Sequence, residues 1–171
     1  MDERELRHAL GAFATGITVV TTHGPDGPVG VTASSFNSVS MDPPLVLWSL
    51  SKRSASLAAF QSHRRWVINV LGESQRDISN QFARRGPDKF AGVETDDDSA
   101  GPVLRGTVAT FVCDTEHEYD GGDHIILVGR VTRFVGSKAG PPLLYFRGGY
   151  REIGAVDHPF PADDDWQSWS Q

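Results

Sequence analysis

The feature that most narrows what this chain can fold into is a side-chain period of two that begins at Gly16 and returns repeatedly, broken each time by a turn. GITVVTTH at 16–23 and VGVTASSF at 29–36 flank the Gly- and Pro-rich GPDGP, which is the pattern of two strands joined by a hairpin. Asp42-Pro43-Pro44 forces another turn, and LVLWSLS at 45–51 and RWVINVL at 65–71 read as further strands. The longest β-rich runs, GTVATFVCDTEHEY at 106–119 and HIILVGRVTRFV at 124–135, flank Asp120-Gly121-Gly122-Asp123, a strong hairpin signal. LLYF at 143–146 is expected to close the set.

Helical spacing is brief by contrast. Asp2 and Glu5 form a capping pair ahead of Leu6, Ala9, Leu10 and Phe13, which fall on one helical face. Ser54 is expected to cap a short helix whose Leu57 and Phe60 face inward, and Ser74 with Asp77 to open another that buries Ile78 and Phe82. Residues 86–101 read as loop. Strands joined mostly by short turns, with only short helices between them, predict a mainly β antiparallel barrel rather than a parallel sheet wrapped in helices. A single domain is expected over residues 1–156, followed by an acidic, partly ordered tail over 157–171.

Composition removes several function classes. The 16 Lys and Arg against 22 Asp and Glu leave a formal charge of -6, which repels a nucleic-acid backbone. No apolar run approaches the roughly 18 residues needed to span a bilayer, and MDERELRHAL is unlike a signal peptide. The expectation is a soluble cytoplasmic protein, consistent with Cys113 as its one cysteine. Neither G-x-G-x-x-G after a strand nor G-x-x-x-x-G-K-[ST] occurs, so a nicotinamide nucleotide would have to bind without a Rossmann turn. Nor does G-x-S-x-G occur, and hydrolytic chemistry has no anchor.

Three constellations could carry chemistry. In Ser51-Lys52-Arg53-Ser54-Ala55-Ser56 a strand ends, positive charge gathers and a helix begins, which suits a phosphate; the same residues also fit a plain N-cap with solvated cations. Thr32, Ala33, Ser34 and Ser35, with Ser38 beyond them, crowd small groups at a strand end, where a flat polar ring could approach the backbone or where an edge strand could simply meet water. The third runs from His117 to His124 and holds Glu118, Asp120 and Asp123. It admits a metal or a solvated hairpin, with His124 on the same strand face as Ile126 and Val128, positioned to overlook a cavity or to serve structurally.

Taken together, the segments LGAFATGITVVTT, GVTASSFNSVSMDPPLVLWSLSKRSAS, WVINVL, FARRGPDKFAG, GDHIILVGRV and PPLLYFRGGY resemble, in order and over nearly all of 6–150, the flavin reductase-like family. These are the small reductase partners of two-component flavin-dependent monooxygenases. The resemblance implies a split β-barrel of six antiparallel strands in Greek-key order with flanking helices, assembled as a homodimer. By the same resemblance Thr32 to Ser35 border a flavin ring, while Ser49, Leu50, Ser51, Ser54 and Ser56 hold the ribityl chain and phosphate. Arg84, Lys89 and Phe90 are carried over as further contacts, and His124 with Gly149 and Tyr150 as neighbours of the nicotinamide. The implied activity is NAD(P)H:flavin reduction. The flavin would be FAD or FMN, the donor NADH or NADPH with NADH favoured, and the reduced flavin would go to a partner monooxygenase.

Hydride transfer from nicotinamide to flavin needs no protein nucleophile, so the expected work of the protein is orientation, with His124 positioning the nicotinamide or stabilising developing charge. The competing readings are a flavin oxidase on the same barrel, a carrier of flavin or haem without turnover, and a metal-dependent barrel using His117 and His124.

Overall fold

The structure is a computed structural model and describes residues 1–86, 88–136 and 140–154. The acidic tail expected over 157–171 lies outside the described residues, as does the boundary at 156.

The chain opens with helix α1 (Glu3–Leu10), whose N-terminal amides are satisfied as expected: Asp2 Oδ1 accepts from the backbone N–H of Arg4 at 2.7 Å and of Glu5 at 3.3 Å. Its apolar face, however, meets no core. Leu6, Leu10 and Phe13 stay exposed in this single chain. Strand β1 (Thr15–Gly16) leads into the hairpin of β2 (Thr18–Gly24) and β3 (Gly27–Ala33), turned by Pro25 and Asp26. Edge strand β4 (Asn37–Met41) follows, then β5 (Pro44–Ser51), helix α2 (Leu57–His63) and β6 (Arg65–Val70).

Two predicted caps are replaced. The N-cap of α2 is Ser56, and the Ser54 hydroxyl instead accepts from the Ser56 N–H within the preceding turn. Before helix α3 (Arg76–Ala83) a 3-10 turn at Glu73–Gln75 intervenes, and Gln75 Oε1 accepts from Gly72 N–H at 3.0 Å where Ser74 and Asp77 were expected to cap. Ile78 and Phe82 nevertheless face the core. Short strands β7 (Thr95–Asp96) and β8 (Val103–Leu104) pair within the region expected to be loop and just beyond it. The long hairpin of β9 (Ala109–Gly121) and β10 (His124–Gly136) falls where the sequence put it.

Seven strands, one more than the expected six, form an antiparallel sheet in the order β3-β2-β6-β9-β10-β5-β4. The additional strand is β4, whose polar residues had read as a strand end. LLYF does not close this sheet. Its residues form β11 (Leu144–Phe146), which pairs with β1 and with β12 (Gly149–Arg151) in a separate three-stranded sheet.

The large sheet curls into a split barrel around Trp48, Trp66 and Phe60, with Val20, Val31, Ile68, Cys113 and Leu127 filling the remaining interior. Trp48 meets Phe60 at 4.9 Å and Trp66 at 6.0 Å between ring centroids, both in edge-on geometry, which suits the ring quadrupoles. Gly129 makes this possible, because a Cβ there would lie 2.4 Å from the Trp66 ring. On the opposite face Ile17, Val19, Leu71, Phe82, Leu104 and Leu143 form a second cluster under α3. With β2 covered on both faces, TVVTT reads as a continuous buried run rather than an alternation.

Candidate functional site

Along most of the barrel, adjacent strands share continuous ladders, but β3 and β5 meet without one. Ser35, just past the end of β3, bridges the gap: its hydroxyl accepts from Ser49 N–H at 2.9 Å and donates to the Ser49 carbonyl at 3.2 Å. Around this seam opens a cavity of about 660 Å³. One wall is Thr32, Ala33, Ser34 and Ser35; the other is Ser49, Leu50 and Ser51. The short side chains at the seam follow from the local sequence and leave the cavity open where larger residues would fill it.

One end is formed by Arg53, Ser54 and Ser56, and a further wall by Arg84, Arg85 and Lys89. These last residues are held over the cavity by α3. Gly30 lets α3 close on β3, since a Cβ there would meet Phe82 at 2.5 Å. Thr32 Oγ1 then donates to the Ser79 carbonyl at 2.7 Å. Lys89 Nζ donates to the carbonyls of Phe82 at 2.9 Å and Gly30 at 3.2 Å, and burial lowers its pKa.

The cavity collects positive charge in a chain of formal charge -6. Among the residues lining it there is no carboxylate, and among the described residues Arg53, Arg84 and Arg85 have no ion-pair partner. Lys52, counted with this group in the sequence, turns away and pairs with Asp120. His124 stands at the rim opposite Ser51 in the β5–β10 ladder. Its Nδ1 meets Asp123 Oδ1 at 2.7 Å, which holds the Asp123 carboxyl below the usual range and leaves Nε2 as the other polar atom of the ring. Trp48 backs the cavity, and its buried Nε1 has no partner among the described residues.

Of the residues singled out in the sequence, Thr32, Ala33, Ser34, Ser35, Ser49, Leu50, Ser51, Ser54, Ser56, Arg84, Lys89 and His124 line this cavity. Ser38 lies exposed on β4 opposite Val46, and Phe90 faces a neighbouring cavity. Gly149 and Tyr150 do not line the cavity either. The Tyr150 hydroxyl bonds Ser79 Oγ and Asn80 Oδ1, both at 2.9 Å, and so braces α3 from behind. Arg53 and Ala55, both within the 51–56 segment that suits a phosphate, also line it, as do Val31, Phe82, Ala83 and Gly86; the sequence had not pointed to Trp48 or Arg85. The Arg84-Arg85 doublet was the available signal for the last of these. His117 pairs with Val128, four residues along β10 from His124, or roughly 13 Å, too far for one ion. Among the described residues no group of His, Cys, Asp and Glu could hold a metal.

An unpaired cationic rim around a seam of small residues, with main-chain groups at hand and an indole behind, fits a flat heteroaromatic that carries phosphate. The comparisons with known proteins agree. Residues 10–154 match the flavin reductase like domain. The chain is 48% identical over 151 residues to a Rhizobium meliloti (strain 1021) protein named "Probable flavin reductase", covering 87% of this chain and 48% of that protein, so it spans about half the length of that relative. It is 41% identical over 156 residues to HsaB of Mycobacterium tuberculosis, a flavin-dependent monooxygenase reductase subunit, covering 90% of this chain and 83% of that one. Its fold matches the Streptomyces globisporus NADH:FAD oxidoreductase SgcE6 in complex with NAD and FAD fragments, with a TM-score of 0.87 at 33% identity over 92% of this chain and 96% of the other. A seam cavity of this chemistry and relatives of this kind lead to one assignment: the chain belongs to the flavin reductase-like family.

Proposed function

We propose that this chain reduces FAD or FMN with NADH and releases the product to a partner monooxygenase. The observation that carries the reading is the carboxylate-free seam cavity ringed by Arg53, Arg84, Arg85 and Lys89. The flavin, when bound, supplies the hydride acceptor at its N5. The rest is the work of this chain. Backbone groups of 32–35 and 49–51 would hold the ring, and the guanidinium groups and Lys89 would hold the phosphate. Two flat rings held in contact there would replace an entropic barrier of several kcal/mol, about 7 or more in well-oriented systems.

His124 orients the nicotinamide through Nε2 while Asp123 fixes the ring through Nδ1. Its replacement by Ala is expected to raise the KM for NADH or slow flavin reduction by about tenfold, the value of one lost oriented hydrogen bond. Unchanged steady-state kinetics would remove His124 from the site.

A homodimer belongs to the same reading, supported by the exposed Leu6, Leu10, Phe13, Val39 and Met41, and light scattering on the purified protein tests it. So does a cytoplasmic location, in keeping with a single buried cysteine. Among the described residues no helix is long and apolar enough to cross a membrane. The decisive assay is oxidation of NADH and of NADPH with FMN, FAD or riboflavin added in turn. Flavin-dependent consumption of NADH is expected. Flavin binding without consumption would instead make the protein a carrier or an oxidase.

A further inference from the structure

Helix α3 carries part of the cationic rim on a short lever. It has eight residues, and Arg84 and Arg85 follow its last turn directly. A helix of this length does not hold itself in water, so its place is set by what it packs against. One side meets the barrel: Phe82 closes on Gly30, and the Ser79 carbonyl accepts from Thr32 Oγ1 at 2.7 Å. Another side presents Arg76, Ser79 and Asn80, an i, i+3, i+4 stripe that converges on a single side chain from outside the barrel ladder, Tyr150.

The tyrosine hydroxyl has one proton, which goes to Asn80 Oδ1 at 2.9 Å. The Ser79 hydroxyl therefore donates to the tyrosine oxygen, also at 2.9 Å. Ser79 is fully buried, so losing that oxygen leaves its hydroxyl without water as a substitute. The Arg76 guanidinium carbon lies 5.1 Å from the tyrosine ring centroid, within cation–π range. The ring is itself fixed from behind. Tyr150 stands on β12 directly opposite Tyr145 of β11, with the two rings 5.7 Å apart, and Tyr145 pairs in turn with Thr15 of β1. The contact thus links the separate three-stranded sheet to the helix that bears the arginines.

We propose that Tyr150 is a positioning residue for the flavin phosphate: by holding Ser79 and Asn80 it fixes α3 on the side away from β3 and so sets where Arg84 and Arg85 stand at the cavity. The inference rests on the proposed function, because it concerns the ligand of that same site. Tyr150 does not line the cavity, so its effect on the phosphate passes through the helix. With the hydroxyl gone, the helix pivots on its contacts with Thr32 and Gly30, and the arginines at its end are displaced.

The test uses the full chain and two variants. Tyr150→Phe keeps the ring and removes only the hydroxyl; Asn80→Ala removes its acceptor at a position where alanine suits the helix. Fluorescence titration gives the Kd for FMN and for riboflavin, thermal melting shows that each variant is folded, and kinetics at saturating FMN give the KM for NADH. Each variant is expected to raise the Kd for FMN about fivefold, the scale of one hydrogen bond, with the riboflavin Kd and the NADH KM changed by less than about twofold. In an Arg84→Ala/Arg85→Ala background, Tyr150→Phe should alter FMN binding by less than about twofold, because the groups it positions are gone. A lower melting temperature with an unchanged ratio of FMN to riboflavin affinity would reduce Tyr150 to a structural role and overturn the inference. So would an equal loss of FMN affinity without the arginines. A raised KM for NADH with unchanged flavin binding would also overturn it, by placing Tyr150 against the nicotinamide. If the unaltered protein bound neither flavin, the proposed function would fall together with it.

Discussion

Two stretches of the same barrel wall differ in one respect, and the difference makes the site. From β2 through β6 and β9 to β10 each strand is laddered to the next, and the interior beneath is filled by Trp66, Ile68, Cys113 and Leu127. Between β3 and β5 the ladder is missing, Ser35 makes the only two hydrogen bonds recorded across the gap among the described residues, and a cavity stands where side chains would otherwise pack. The closed side supplies the rigidity, and the open side supplies the room. A site built on such an edge can present main-chain groups to a ligand because no neighbouring strand consumes them.

The largest expected effect falls on the closed side. Trp66→Ala removes a fully buried indole from the middle of the ladder, and urea denaturation should report a loss of about 3–5 kcal/mol. A loss below about 1 kcal/mol would mean that the interior is not the closely packed support described above.

Next comes the rim of the open side. Arg84→Ala/Arg85→Ala should weaken FMN binding by about tenfold or more while leaving riboflavin, which has no phosphate, nearly untouched. Equal weakening of both ligands would show that the pair shapes the cavity rather than meeting the phosphate.

Ser35→Ala probes the bridge between the two sides. It deprives the Ser49 N–H of its acceptor, and thermal or urea unfolding should register a loss of about 1–2 kcal/mol together with weaker flavin binding. Stability falling without any change in binding would separate the bridge from the site.

The smallest effect is electrostatic and belongs to the closed side. The hydrogen bonds from Arg130 hold the Glu116 carboxyl below its ordinary value, so its contribution to stability is present above the unfolded value of about 4.3 and is lost as pH falls through the lower folded one. Glu116→Gln should therefore flatten slightly the fall of the melting temperature with pH below about 4. Because the pair is only half-buried and open to water, the change is expected to be modest, and an equal change at pH 7 and pH 3 would refute the assignment.

Much of this molecule can be read along the chain. The β9–β10 hairpin is a local event, driven by alternation and by a turn sequence that tolerates positive φ at Gly122, and it stands where the pattern put it. So do the hairpin at Pro25-Asp26 and the cap of α1 by Asp2. The small residues at 32–35 and the hydroxyls at 49–56 were also legible, because an absence of bulk at a strand end is itself a local signal.

What eluded the sequence involves partners far away in it. Gln75 replaced the expected caps because Gly72, Arg105 and the 3-10 turn came together around it. LLYF went to β1 rather than to the barrel because Leu143 bonds Ile17 and Leu71 across the fold. That Tyr150 braces α3 was not legible either, because it is decided by where Ser79 and Asn80 end up. The amino-acid order alone therefore determined the strands, the tight turns and the stock of small and cationic residues, since period and turn chemistry act over a few neighbours. Only the tertiary structure decided which two strands would fail to pair and which arginines would be left without carboxylates, because both depend on contacts between segments that the chain brings together only when folded.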